Sequence, residues 1–74
     1  MMGQELRKAR ERAGLTQEEL AFRAGLSRPY ISHLERGLKS PTVATLFLIC
    51  DALGVRAADV IRRVDAARKR PARP

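Results

Sequence analysis

Apolar positions along this chain recur at helical spacing, and nowhere alternate strictly with polar ones. No Val/Ile/Thr-rich alternating run exists, so no strand is predicted and five helices are. The first runs from about Gly3 to Ala13 and stops at Gly14, with Leu6, Ala9, Arg10 and Ala13 on one stripe. The second opens on Thr16-Gln17-Glu18-Glu19, where the Thr16 hydroxyl can accept from the Glu19 amide while the Glu19 side chain reaches back, and it closes at Gly25. The third takes Ser27 as its N-cap, holds Pro29 in the first turn, where a missing N–H costs little, and ends at Gly37. The fourth covers about Thr42 to Leu53, capped by Ser40 or Thr42, and stops at Gly54. Val43, Leu46, Ile49, Cys50 and Leu53 form its core stripe. Phe47 and Leu48 fall off that stripe, so this helix must be central or covered on a second side. The fifth spans about Ala57 to Ala67, with Val60, Ile61 and Val64 as its apolar face and Arg56 as a poor cap. Residues 68–74 are basic and proline-bearing and read as a disordered tail, leaving residues 1–67 as one all-α domain.

The stretch from Gln17 to Gly37 is the most specific part of the pattern. Ala21, Gly25 and Ile31 stand where two short helices crossing steeply need a small residue, a turn residue and an apolar plug. Gly25 can take a left-handed backbone that side chains with Cβ avoid. Such a unit is a helix-turn-helix, whose second helix can be offered to the DNA major groove.

Projected at about 100° per residue, the third helix divides cleanly. Ile31 and Leu34 lie on one side; Arg28, Pro29, Ser32, His33 and Arg36 lie on the other. Arg28, near the N-terminal end, can give a guanine two parallel hydrogen bonds, and Ser32 and His33 can read a base edge or meet a thymine methyl. The bland alternative is an amphipathic helix with a solvated face. Phosphate contacts are expected from Gln17, Ser27, Lys39, Ser40 and Thr42 at helix starts, where the dipole favours an anion, with Arg36 beside them. Each also has a plainer reading as a cap or a solvated charge. Two charges break the local pattern: Arg10 on an apolar stripe and Glu35 at the edge of the third helix's buried face. A structural ion pair between them is expected, the alternative being that Arg10 snorkels to solvent.

Composition narrows the function classes. Seventy-four residues make one small domain, expected to be marginally stable unless it shares apolar surface with a second copy. The net charge is +7, of which residues 1–54 contribute only +2 and residues 55–74 contribute +5. This balance favours a polyanionic partner, nucleic acid ahead of an anionic membrane surface. No segment is apolar enough to span a membrane, and MMGQELRKAR lacks the apolar centre of a signal peptide, which fits a cytoplasmic protein. Cys50, the single cysteine, excludes an internal disulfide and reads as a buried thiol. No nucleophile–base pair, phosphate loop or zinc spacing occurs, so neither catalysis nor a cofactor or metal is expected.

The segment TQEELAFRAGLSRPYISHLERGLKSPTVATLFLICDALGV resembles the helix-turn-helix domain of the Cro/C1 (xenobiotic-response-element) family of prokaryotic and phage repressors. The likeness covers residues 4–56 and rests on TQEELA, the G-L-S turn, Y-I-S-x-L-E-R-G and D-A-L-G-V. It implies a five-helix, lambda-repressor-like all-α domain with the third helix in the major groove. It implies a backbone contact from Gln17 and base-facing side chains at Arg28, Pro29, Ser32 and His33. Family members commonly pair the residues matching Arg10 and Glu35. Most bind a near-palindromic operator as dimers, with half-sites about 34 Å apart. Members of this size resemble restriction–modification controllers, small phage repressors and antitoxins. Pro29, Arg56 and the basic tail depart from the pattern.

The leading expectation is therefore a sequence-specific regulator of double-stranded DNA acting as a homodimer. Its interface is expected from Phe47, Leu48, Val60, Ile61 and Val64, unless these simply complete the core. The competing expectation is an antitoxin or adaptor whose main partner is a protein.

Overall fold

Helix boundaries in this chain are set by residues that satisfy the terminal backbone groups. The computed structural model describes residues 1–69, which form α1 (Met2–Arg12), α2 (Gln17–Ala24), α3 (Arg28–Glu35), α4 (Val43–Leu53) and α5 (Ala57–Arg68). No strand occurs among the described residues. At the start of α2, Thr16 Oγ1 accepts from the Glu19 amide at 3.0 Å and the Thr16 amide donates to Glu19 Oε1 at 2.8 Å. This reciprocal cap satisfies two N–H groups that the helix leaves orphaned. Ser27 caps α3 through Tyr30 N, and Thr42, rather than Ser40, caps α4 through Thr45 N at 3.1 Å. Arg56 offers α5 no side-chain cap. Gly25 ends α2 at φ 71°, which lets the Leu26 amide reach back to the Ala21 carbonyl at 2.8 Å.

The five helices pack around one core. α2 lies against α3 and α4, α1 bridges α3 and α5, and α4 touches α5. Leu6, Leu20, Ile31, Leu34, Ile49, Cys50 and Val60 are the largest fully buried side chains. Ala21 is buried within the same cluster as Ile31, between α2 and α3. Burial pushes the Cys50 thiol above its ordinary pKa, which suppresses the nucleophilic thiolate.

One close approach was not expected. Gly3, in the first turn of α1, lies against the C-terminal end of α3. A Cβ at this position would collide with the Leu34 carbonyl oxygen and stand 2.7 Å from that of Glu35. Only glycine lets the two backbones come this near.

Three apolar assignments change. Val43, expected in the core stripe of α4, is 70% exposed, because it belongs to the first turn, ahead of the part of α4 that other elements cover. Val60, expected at a dimer interface, is 2% exposed: it stands one turn from Ala57 on the stripe that α5 turns to the core. Ala13 caps α1 and is exposed. After Val60 no described residue is buried. Arg68, where the tail was expected to begin, closes α5 and pairs with Asp65, and residues 70–74 of that expected tail lie outside the described residues.

Candidate nucleic-acid interface

The helix-turn-helix presents the polar side of α3 outward because Ile31 and Leu34 anchor its other side. Arg28 and Pro29 are exposed, and Ser32 and His33 are half-buried. An open groove beside the α2–α3 turn is lined by Ser27, Pro29, Tyr30, His33 and Lys39. It thus gathers two expected base-facing residues with two expected phosphate-facing ones. Arg28 and Ser32 continue the same helix face beyond the groove. Arg36 sits at the C-cap of α3, bordering a separate depression with Met1, Gly3 and Gln4. Among the described residues, Arg28, Arg36 and Lys39 make no ion pair. Their charge is therefore unneutralised by the described residues.

The hydroxyls differ in what they can still offer. Ser27 Oγ accepts from Tyr30 N at 3.2 Å, which leaves its proton available to an anion. Thr42 Oγ1 accepts from Thr45 N and donates to Thr45 Oγ1 at 3.0 Å, so its one proton is already engaged. Ser40 and Lys39 are exposed, in the segment leading to α4.

Behind this surface lies a buried polar cluster. Arg10 Nε donates to Glu35 Oε2 at 2.6 Å and its second nitrogen reaches Glu35 Oε1 at 3.0 Å. The side chains are 12% and 3% exposed, so Arg10 does not snorkel. The third guanidinium nitrogen donates to the Leu15 carbonyl at 2.8 Å. This two-pronged geometry is the strong form of a charge-assisted contact. The Glu35 hydrogen bonds hold the Arg10 guanidinium above its ordinary pKa against the opposing effect of burial. Gln17 Nε2 also donates to Glu35 Oε1, at 3.1 Å. That bond joins a residue expected at the phosphate backbone to the ion pair, and sequence reasoning missed it. Tyr30 was also missed: it is partly buried against the core and also lines the groove. Its position between Pro29 and Ile31, at the margin of the two faces, was the available signal.

Among the described residues no group of His, Cys, Asp and Glu could hold a metal, and no helix is long and apolar enough to cross a membrane.

Known proteins share this fold. Residues 6–60 match the family model described as helix-turn-helix. The chain is 42% identical over 65 residues to the HTH-type transcriptional regulator y4dJ of Sinorhizobium fredii, covering 88% of this chain and 84% of that one. Three other curated relatives are longer, and the match spans 39% to 42% of their length. Its fold is similar to that of the restriction-modification controller protein C.AhdI from Aeromonas hydrophila, with a TM-score of 0.77 at 36% identity over 80% of this chain and 89% of that one. It is likewise similar to SinR, a master regulator for biofilm formation solved in complex with DNA, with a TM-score of 0.78 at 31% identity over 82% and 98% of the two chains.

Proposed function

The chain belongs to the Cro/C1-type helix-turn-helix family of DNA-binding transcriptional regulators, which is not a class of enzymes, and from that premise we propose how it engages DNA. It binds a near-palindromic operator as a homodimer, with α3 of each copy in the major groove. Arg28, Pro29, Ser32 and His33 face base edges; Gln17, Ser27, Arg36, Lys39 and Ser40 face phosphates. Thr42 offers its helix start rather than its hydroxyl. The observation that carries this reading is the charge of the α3 face. Its cations are free of ion pairs among the described residues, while the one carboxylate of α3, Glu35, is neutralised inward by Arg10.

A second copy is supported by the apolar surface that the core leaves open. Phe47, Leu48 and Ile61 are each about half exposed, and Val64 is partly so. One helix-turn-helix buries too little area for tight specific binding alone. Joining two copies through this surface supplies a second half-site at roughly 34 Å.

The test begins with footprinting of the DNA next to the protein's own gene, where protection of an inverted repeat identifies the operator. Arg28→Ala then weakens operator binding by about 1–3 kcal/mol while sparing non-specific duplex. Equal loss on all DNA reassigns Arg28 to a phosphate. Absence of DNA binding at moderate salt returns the protein to the adaptor reading.

A further inference from the structure

We infer that Glu35 is a positioning residue for DNA binding, acting through the side-chain amide of Gln17; this deepens the proposed function and rests on Gln17 meeting a phosphate. The chemistry of the hydrogen bond fixes the amide's orientation. A carboxylate only accepts, and Glu35 Oε1 lies 3.1 Å from Gln17 Nε2. The amide must therefore turn its nitrogen toward Glu35 and its oxygen away. One N–H is used in this bond and the second stays available for an acceptor. A phosphate oxygen is also acceptor-only, so it can be met by that N–H and never by the amide oxygen. Without Glu35 the amide turns freely, and half of its orientations present the wrong atom.

Arg10 makes the arrangement tolerable beside a polyanion. Its two bonds to Glu35, at 2.6 and 3.0 Å, cancel a negative charge that would otherwise stand behind the phosphate-facing surface. Its third nitrogen, on the Leu15 carbonyl, ties the cluster to the loop that leads into α2. Arg10 and Glu35 thus touch no DNA themselves and still set the angle of a residue that does.

The experiment compares four proteins: the natural chain, Gln17→Ala, the apolar pair Arg10→Met with Glu35→Leu, and the combination of all three changes. Replacing both partners of a buried ion pair by apolar groups commonly preserves a fold, and here it leaves the net charge unchanged. Binding is read on a duplex of arbitrary sequence at fixed salt, since a phosphate contact does not depend on sequence. The apolar pair weakens binding roughly two- to tenfold, the scale of ordering one flexible side chain. In the Gln17→Ala background the same pair changes nothing. Equal losses in both backgrounds overturn the positioning role.

A second readout needs no variant and no DNA. Gln4 and Gln17 carry the only two side-chain amides in the chain, so two side-chain NH2 signals appear in a nitrogen-15 spectrum. The Gln17 signal shows a high order parameter and slow exchange, and that of exposed Gln4 does not. If the two amides are equally mobile, Glu35 positions nothing. If Gln17 is ordered but Gln17→Ala binds DNA normally, the phosphate contact is wrong and the positioning of DNA binding falls with it.

Discussion

Gly3→Ala is the sharpest stability test of this fold, because helix propensity and tertiary geometry oppose each other there. Alanine favours a helix over glycine by up to about 1 kcal/mol, so propensity alone predicts a more stable protein. The packing predicts the reverse. Ordinary contact begins at 3.4 Å and the new Cβ would stand 2.7 Å from the Glu35 carbonyl oxygen, so α1 and α3 must part by about 0.7 Å for that atom alone. The Leu34 carbonyl demands more. Neither is a side chain that can swing aside. Overpacking of this kind costs about 1–3 kcal/mol, and a rigid obstacle puts the cost near the upper end. Parting the helices also lengthens the Arg10–Glu35 bonds that span them. The net expectation is a loss of about 2 kcal/mol. In a domain of this size that lowers the melting temperature by about 8–16 °C, read by circular dichroism. A melting temperature that is unchanged or raised refutes the close approach of α1 to α3.

Three further outcomes follow. Glu35→Ala strands the Arg10 charge and costs about 3 kcal/mol or more, whereas exposed Glu18→Ala stays within about 0.5 kcal/mol; similar small losses in denaturant titration refute the buried pair. The Thr16 cap holds the Glu19 carboxyl below its ordinary pKa, so its stabilisation is present above the unfolded-state value and is lost as pH falls through the lower folded one. Glu19→Gln therefore weakens the protein at neutral pH and converges on the natural chain in acid; a gap constant with pH contradicts the cap's ionic character. Ile61→Lys leaves the monomer folded and lowers the sedimenting mass toward that of one chain, while Val60→Lys unfolds it; a dimer that survives Ile61→Lys places the interface elsewhere.

Local chemistry made much of this fold legible. The Thr16–Glu19 cap, the Gly25 turn and the Ser27 cap each follow from neighbours within a few residues, and all three stand where the pattern put them. Arg10 and Glu35 were legible for another reason: each breaks an apolar stripe, and two opposite exceptions suggest one another. What could not be read depends on residues far apart in sequence. Nothing near Gly3 announces the carbonyls of α3. Nothing in α2 says that Gln17 bonds Glu35. Val43 is exposed and Val60 buried, against expectation, because periodicity gives the direction of a side chain and not whether another helix covers it. The site showed the same division: the open face of α3 followed from its period, while the engaged proton of Thr42 and the groove margin at Tyr30 needed three dimensions.

The open face of α3 has a consequence for descent. Arg28, Pro29, Ser32 and His33 enter no side-chain hydrogen bond or ion pair with the rest of the described protein, while Ile31, Leu34 and Glu35 of the same helix hold it in place. If α3 engages DNA as proposed, folding and reading fall on different sides of one eight-residue helix. Substitutions on the reading side meet little resistance from stability, which is scarce in so small a domain. Paralogues can therefore diverge toward new operators by single changes there, each intermediate remaining a folded protein.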